Sequence, residues 1–507
     1  MQIIKTEVAV IGSGLAGLSA ALVLAENGIK VMVFEKRPFQ GGAVSNTPMC
    51  TMVVRNERKF QDRAFEVHNE FTNYNGNMGL ARTWINNSWR IPGLITGLGL
   101  DFAGKVETSY DEIGTINAYT GGFPKGMNLG DYYLLKARGK GHGGALICLR
   151  AVNKIRALGG EIHFNRTLTE ILVDQGRIIG AIVTDKAGGK TRIDCQALIV
   201  ATGGFSENRE MVKKYTGFDY TDANCSNGGN VMFNHFVNAQ TTGEAHQAVW
   251  AAGGAKGPVS AFGRLVPGPG IVSYTPWFTR NNLYTVAEQP YLLINRNGKR
   301  FINEAVAQTS MNQGVAIKNQ PGRYAFLLFD EETLEHLEQV GTEYAYMIFP
   351  AKKITNLREQ FREVIEDQGN QHVFVADSLD DFSRIAGIDR EGLLETVIRY
   401  NQLCDDGYDQ DFGKNPKYLY PVRKSRFYGL RIVNSAYNTL GGIRTNEKCE
   451  VINDEQKPIK GLYSAGDCMA GELYGDPSLA VCSLSTVAFT LGMVCADQAT
   501  AYVREGI

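Results

Sequence analysis

Three glycines carry the first readable chemistry of this chain. Gly12, Gly14 and Gly17 stand in G-x-G-x-x-G spacing directly after the apolar run Val8 to Ile11. An alanine- and leucine-rich stretch of helical character follows, then a second apolar strand, "KVMVFE", that ends on Glu35. Each part has a physical task. Gly12 permits a tight turn, Gly14 lets the backbone approach a pyrophosphate, and Gly17 allows helix and strand to pack closely. The helix N-terminus, with Ala16 in its first turn, offers free N–H groups and a positive partial charge to phosphate oxygens. Glu35, about 20 residues downstream, can accept hydrogen bonds from a ribose. Strand, glycines, helix, second strand and terminal acid together predict a dinucleotide site.

Three further segments indicate which dinucleotide. "KRPFQGGAVSN", immediately after Glu35, sets Lys36 before Gly41, Gly42 and Ser45, a basic then glycine-rich path suited to a pyrophosphate and ribityl chain. "LIVATGGFSEN" reads as a buried strand ending in Ala201, Thr202 and Gly203. "IKGLYSAGD" reads as another strand, ending at Gly466 and the acid Asp467, where ribityl hydroxyls can be held. Spread across the chain, these pieces fit FAD lying across a sheet. A single complete fingerprint predicts no separate NAD domain.

The elements that position such a site need a large scaffold. At 507 residues the chain exceeds what one core usually supports, which predicts two domains. The apolar share of 44% and charged share of 21% describe an ordinary globular composition. A net charge of −1 provides neither a basic field for nucleic acid nor a polybasic membrane patch. The nine cysteines include no C-x-x-C pair, so no iron–sulfur cluster or zinc site is indicated and a reducing compartment fits. A strand-like "EVAVIG" so near the start leaves no room for a signal peptide, and no apolar run reaches the roughly 18 residues of a membrane span. The expectation is a cytoplasmic protein.

In order along the chain, "IGSGLAGLSAAL", "GGAVSN", "GHGGAL", "ATGGFSEN", "TTGEAHQAVWAAGG", "INRNGKRFINE", "TLGGIRTN" and "GLYSAGD" resemble the flavoprotein subunit of fumarate reductases and succinate dehydrogenases. The resemblance is to the soluble single-chain branch, with fumarate reductases, urocanate reductases and 3-ketosteroid dehydrogenases. It implies an α/β fold: a Rossmann-like FAD-binding domain split in sequence (residues 1–255 and 425–507), with an inserted α+β capping domain (residues 256–424). It also implies hydride transfer between flavin N5 and a carbon–carbon bond of the substrate. Gly143 and Gly144 of "GHGGAL" are then expected near the flavin, beside His142. Ser478, Leu479 and Ala480 are expected at a helix start aimed at the flavin, with Pro477 in its first turn. No histidine stands in "GGAVSNTPMC", where the respiratory enzymes attach FAD, so noncovalent FAD is expected.

Departures from the family pattern bear on the substrate. Where fumarate reductases carry a proton-donating arginine, this chain has Gln308, which can hydrogen-bond but cannot act as a general acid. In place of a substrate-binding histidine before "TLGG" stand Tyr437 and Asn438, and the second clamping arginine is replaced by Pro477 and Ser478. Lys299, Arg300 and Glu304 read as structural. A dicarboxylate such as fumarate is therefore not the expected substrate. A phenol with pKa about 10 can protonate an enolate-like carbon, so Tyr474 is the candidate proton donor and Tyr437 a binding group. Aromatic residues of the cap, Phe262, Tyr274, Trp277, Phe278, Tyr284 and Tyr291, suit a flat hydrophobic ring compound, such as a steroid-like enone or a phenolic or isoflavonoid-like molecule. Two alternatives stay open: a small unsaturated acid held by Arg264 or Arg280, and an electron-transfer subunit of a larger complex. In every case electrons come from, or go to, an external partner.

Overall fold

The structure is a computed structural model that describes residues 1–42, 45, 50–72, 74–105, 130–135, 143–219, 231–232, 240–267, 283–287, 289–305, 313, 316–317, 319–343, 353–367, 369–475 and 484–506. Its largest sheet has ten strands. The centre of that sheet is parallel, in the spatial order Pro458–Ser464, Ala197–Val200, Val8–Ile11, Val31–Phe34 and Glu161–His163. Val8–Ile11, Val31–Phe34 and Ala197–Val200 are apolar and buried along their whole length. That is the pattern of parallel strands covered on both faces.

The register matters more than the strand count. Ile11 pairs with Phe34 on one side and Val200 on the other, and Val200 pairs with Ser464. The ladder extends one residue further: Gly12 N donates to Phe34 O at 2.8 Å, Ala201 N to Ile11 O at 2.8 Å, and Ala465 N to Val200 O at 3.0 Å. Four segments far apart in sequence therefore leave the sheet at the same level. Val8–Ile11 continues through helix Leu15–Glu26 to Val31–Phe34 on one side, while Ala197–Val200 lies on its other side. The strand order reverses there, and ligands of such sheets bind outside the carboxyl ends at that reversal.

Helix Leu15–Glu26 packs against the C-terminal helix Leu484–Glu505. The approach is close enough that a Cβ on Gly492 would lie 2.3 Å from Ala16 O. A second, six-stranded sheet is organised around the 17-residue strand Phe427–Ile443, which pairs with Val231–Met232, Lys256–Pro267, Tyr324–Asp330 and Val373–Ala376. Leu292–Ile294 adds to Tyr324–Asp330. A three-stranded sheet joins Cys50–Val54, Gly130–Leu135 and Phe102–Lys105.

The apolar interior follows the same division. The first core draws on segments between Val8 and Val249 and again between Leu440 and Val503. Two smaller cores are built wholly from residues between Leu283 and Ile432. Strand Phe427–Ile443 serves both regions: Leu430 and Ile432 lie in the second, Leu440 and Ile443 in the first. Beyond residue 354 the chain forms helices Leu357–Arg362, continued by Glu363–Asp367, and Arg390–Asp406. The latter is capped by Asp389, whose Oδ2 accepts from Gly392 N at 2.8 Å, and stops at Gly407 with φ +62°. Among the described residues no helix is long and apolar enough to cross a membrane.

Candidate active site

The three glycines of the fingerprint are explained by different neighbours. A Cβ on Gly12 (φ +102°) would sit 2.4 Å from Ala201 O, and one on Gly17 would sit 2.0 Å from Gly12 O. The protein itself forbids side chains at both. A Cβ on Gly14 would meet nothing within 4 Å. Its bare backbone faces open space, as a position reserved for a ligand should. Gly41 (φ +101°) donates to Ser13 O at 2.9 Å, and Gly42 comes within 3.7 Å of Gly14 Cα, measured from its ideal Cβ. The second glycine pair therefore folds over the first turn.

Glu35 is buried at this turn. Its Oε2 accepts from Ser13 N at 2.8 Å and Ser13 Oγ at 2.7 Å, and its Oε1 from Arg37 N at 2.9 Å. A carboxylate has about four acceptor sites, so capacity for a ribose hydroxyl remains. Lys36 turns elsewhere. Its Nζ donates to Thr242 Oγ1 at 2.5 Å and pairs with Glu244 at 3.2 Å. The cation in the turn is Arg37, which the sequence reading passed over: it is buried, its Nε lies 3.8 Å from Glu35 Oε1, and among the described residues neither its Nη2 nor Ser45 Oγ has a hydrogen-bond partner. Buried donors are rarely left unpaired, so an open glycine backbone beside two orphaned groups fits a phosphate-bearing cofactor. The neighbouring basic residue of "KRPF" was the available signal.

On the other side of the strand reversal, Gly203 has φ +77°, and Gly204 admits no side chain because Thr439 O lies 2.2 Å from its ideal Cβ. Thr439 Oγ1 accepts from Phe205 N at 2.6 Å. Asn438 is 3% exposed, with its Nδ2 donating to Asp467 Oδ2 and its Oδ1 accepting from Thr439 N at 2.9 Å. The structure thus brings Ala201–Gly203, Asn438 and Gly466–Asp467 together. Burial pushes the Asp467 carboxyl up to about 6, with the Asn438 hydrogen bond acting in the opposite direction. Ala16 faces the C-terminal helix and Gly466, whose ideal Cβ is 3.0 Å from Ala16 Cβ. Gly143 and Gly144 are buried at the start of helix Gly143–Ala157.

The proposed proton handlers are not assembled in the same way. Tyr474 ends the short helix Gly471–Tyr474 at 0% exposure, inside the first core. Its ring lies 5.9 Å from that of His68. Its side chain is enclosed in that core, the placement of a packing residue. Tyr437 lies on strand Phe427–Ile443, and the description covers its backbone only. Gln308, His142, Pro477, Ser478, Leu479, Ala480 and Arg280 lie outside the described residues, as do the side chain of Arg264 and those of the cap aromatics other than Tyr291. Tyr291 is buried in the second core, edge-on to Tyr420 at 5.5 Å.

Lys299 pairs at the surface with Glu395 at 2.5 Å, whereas Arg300 and Glu304 form part of a buried ionic cluster. Arg300 bonds Glu304 through Nε and Nη2, both at 2.8 Å, and Asp409 through Nη1 at 3.0 Å and Nη2 at 2.6 Å. Lys414 Nζ closes the cluster, 3.2 Å from Glu304 Oε2 and 2.8 Å from Tyr400 OH. The polar segment "DDGYDQDFGKNP" at the end of helix Arg390–Asp406 supplies the other two members. Its Asp409 and Lys414 are buried because they neutralise Arg300 and Glu304.

Residues 7–480 match the FAD binding domain family, and the chain belongs to it. It is 26% identical to the vinyl phenol reductase of Lactiplantibacillus plantarum over 93% of this chain and 91% of that protein. To the fumarate reductase (cytochrome) of Shewanella frigidimarina it is 25% identical, over 98% of this chain and 78% of that one. Among solved structures, 3-ketosteroid delta1-dehydrogenase from Sterolibacterium denitrificans superposes with a TM-score of 0.68 at 18% identity, covering 98% of this chain and 99% of that one, a likeness of fold. The chain is an FAD-dependent oxidoreductase acting on CH–CH groups.

Proposed function

We propose that the enzyme reduces the activated C=C bond of a hydrophobic ring substrate, with phenolic compounds first and steroid-like enones second. The observation that carries this reading is the combination of a full-length relative named for vinyl phenol with the absence of arginine and histidine at the family's dicarboxylate-clamping positions. Asn438, which stands near the family's clamping histidine, supports it further: its amide is turned into the protein toward Asp467. Residues 1–255 and 425–507 form the cofactor domain of this reading, and 256–424 the cap. The separate cores on either side of strand Phe427–Ile443 support that division, although the strand itself bridges it.

FAD, held without a covalent bond, supplies hydride exchange at N5. Gly14, the Arg37 guanidinium and the Leu15–Glu26 helix N-terminus receive the pyrophosphate, Glu35 receives a ribose, and Asp467 the ribityl chain. With Tyr474 confined to the core, Tyr437 becomes the tyrosine assigned to the proton. Positioned acids contribute about 10²- to 10⁴-fold to rate. Tyr437→Phe is therefore expected to lose that much turnover with FAD content unchanged, and Tyr474→Phe to keep near-normal turnover.

Reoxidation of dithionite-reduced enzyme by a compound panel tests the substrate class. A vinyl phenol or a ring enone is expected to restore the oxidised flavin spectrum, with fumarate no faster than buffer. Rapid reoxidation by fumarate would overturn the proposal, and silence across the panel would favour the electron-transfer alternative. Acid or heat should release all the flavin as free FAD.

A further inference from the structure

We infer that Asn438 is a positioning residue for the cofactor, holding the Asp467 side chain in its acceptor state and orientation, and does not contact substrate. The geometry is specific. Both ends of the Asn438 amide are engaged: Nδ2 donates to Asp467 Oδ2, and Oδ1 accepts from Thr439 N at 2.9 Å. An amide fixed at its oxygen has one remaining way to present its N–H groups. Here they point at the acid that follows the strand Pro458–Ser464. Thr439 in turn holds Phe205 N through its hydroxyl, and Asn438 Oδ1 lies 2.9 Å from the ideal Cβ of Gly204. One dipeptide therefore ties the segment after Ala197–Val200 to the segment after Pro458–Ser464. At 3% exposure, Asn438 has little surface left for a substrate.

The electrostatic setting explains why a neutral amide matters there. Among the described residues, the Cys468 thiol adjoins Asp467, and the His246 imidazole lies beyond it, near the Cys468 backbone with Glu244 within its electrostatic reach. Burial pushes the thiol up to about 11 and the imidazole down to about 4. Both are neutral near pH 7, so neither supplies a charge to hold Asp467 ionised. The Asn438 hydrogen bond is the group that favours the carboxylate. Charge-assisted acceptance is roughly twice as strong as neutral acceptance, so an ionised Asp467 grips hydroxyl donors of FAD best.

The test is FAD affinity against pH, read by flavin fluorescence with apoprotein and independent of any substrate. Wild-type affinity should be level near pH 7.5 and weaken as pH falls through about 6. In Asn438→Ala the weakening should begin about one pH unit higher, because the lost hydrogen bond had favoured the charged form. Asn438→Asp, which sets a second carboxylate against the first, should shift it further. Asn438→Ser, which keeps a donor, should restore part of the wild-type profile. With Asp467→Asn the pH dependence should vanish and Asn438→Ala should add no further shift. A flat wild-type profile between pH 5 and 8, or Asn438 variants that raise KM for substrate while leaving the FAD profile unmoved, would overturn the assignment. If Asn438→Ala fails to fold, the Asn438→Ser profile set against wild type and Asp467→Asn decides the matter.

Discussion

Gly14 and Gly17 are the same amino acid three positions apart, yet their replacement should break different properties. A side chain at Gly17 collides with Gly12 O at 2.0 Å, a backbone atom that cannot step aside without moving the strand. Gly17→Val is expected to destabilise the fold by about 1–3 kcal/mol or more, as overpacking does, seen as a lower Tm of the apoprotein. A side chain at Gly14 meets no protein atom within 4 Å. Gly14→Val should fold with an apoprotein Tm near wild type and bind no FAD, because it fills space meant for the pyrophosphate. A yellow Gly14→Val protein would disprove the placement. The glycines and Glu35 were legible in sequence because their spacing is local. Asn438 was picked out in sequence, but its role was not legible, since its partner Asp467 lies 29 positions away on a different strand end.

At the level of elements, the buried cluster of Arg300, Glu304, Asp409 and Lys414 fastens the segment after strand Leu292–Ile294 to the loop after helix Arg390–Asp406. Its charges balance only as a set. Arg300→Met leaves two carboxylates buried beside a single ammonium, and breaking such a set typically costs about 3–5 kcal/mol. The denaturant midpoint should fall accordingly, with fluorescence of Trp250, outside that region, used to follow the rest of the molecule. Burial raises the Asp409 carboxyl, but Arg300 and the N–H groups of Lys414 and Phe412 pull it down further, to about 2. A carboxyl depressed on folding stabilises fully above its unfolded value near 4 and loses that contribution as pH falls toward 2. Arg300→Met should therefore flatten acid unfolding in that window. Nothing local in sequence reveals that this polar, glycine-containing loop would be drawn inside, because that depends on charges more than 100 positions away.

For the whole molecule, two histidines set a pH dependence at milder acidity. His68 and His246 are fully buried, each with Nε2 against a backbone carbonyl, of Leu473 at 3.0 Å and Gly441 at 3.1 Å. Burial lowers both to about 4. The unfolded chain takes up these protons below about pH 6.5 and the folded chain does not until about pH 4. Stability must therefore decline as pH falls across that window, by up to about 1.4 kcal/mol per pH unit for each histidine. Urea midpoints measured from pH 7 to 4.5 check the slope, and His246→Gln should remove about half of the histidine contribution. A midpoint that holds level across the window would show that the imidazoles are not kept neutral. The α/β class followed from the family resemblance, with the strand–helix–strand of the glycine fingerprint in agreement; the bridging role of strand Phe427–Ile443 was not legible, because one strand belongs to two cores through its length.

The parallel sheet has an order of assembly written into it. Its strand Ala197–Val200 lies between Val8–Ile11 and Pro458–Ser464, so one edge of that strand stays unpaired until residues more than 250 positions later have been made. The cores between Leu283 and Ile432 draw on one continuous stretch and need no such wait. During synthesis the later-coded interior should mature first, while the earlier-coded strands remain open and dependent on chaperones, since pairings between distant segments form slowly. Ribosome-stalled chains long enough to free strand Phe427–Ile443, but with Pro458–Ser464 still inside the ribosome, should resist protease from about residue 283 onward yet capture no flavin. Chains stalled far enough beyond residue 464 to free that last strand should be the first to turn yellow.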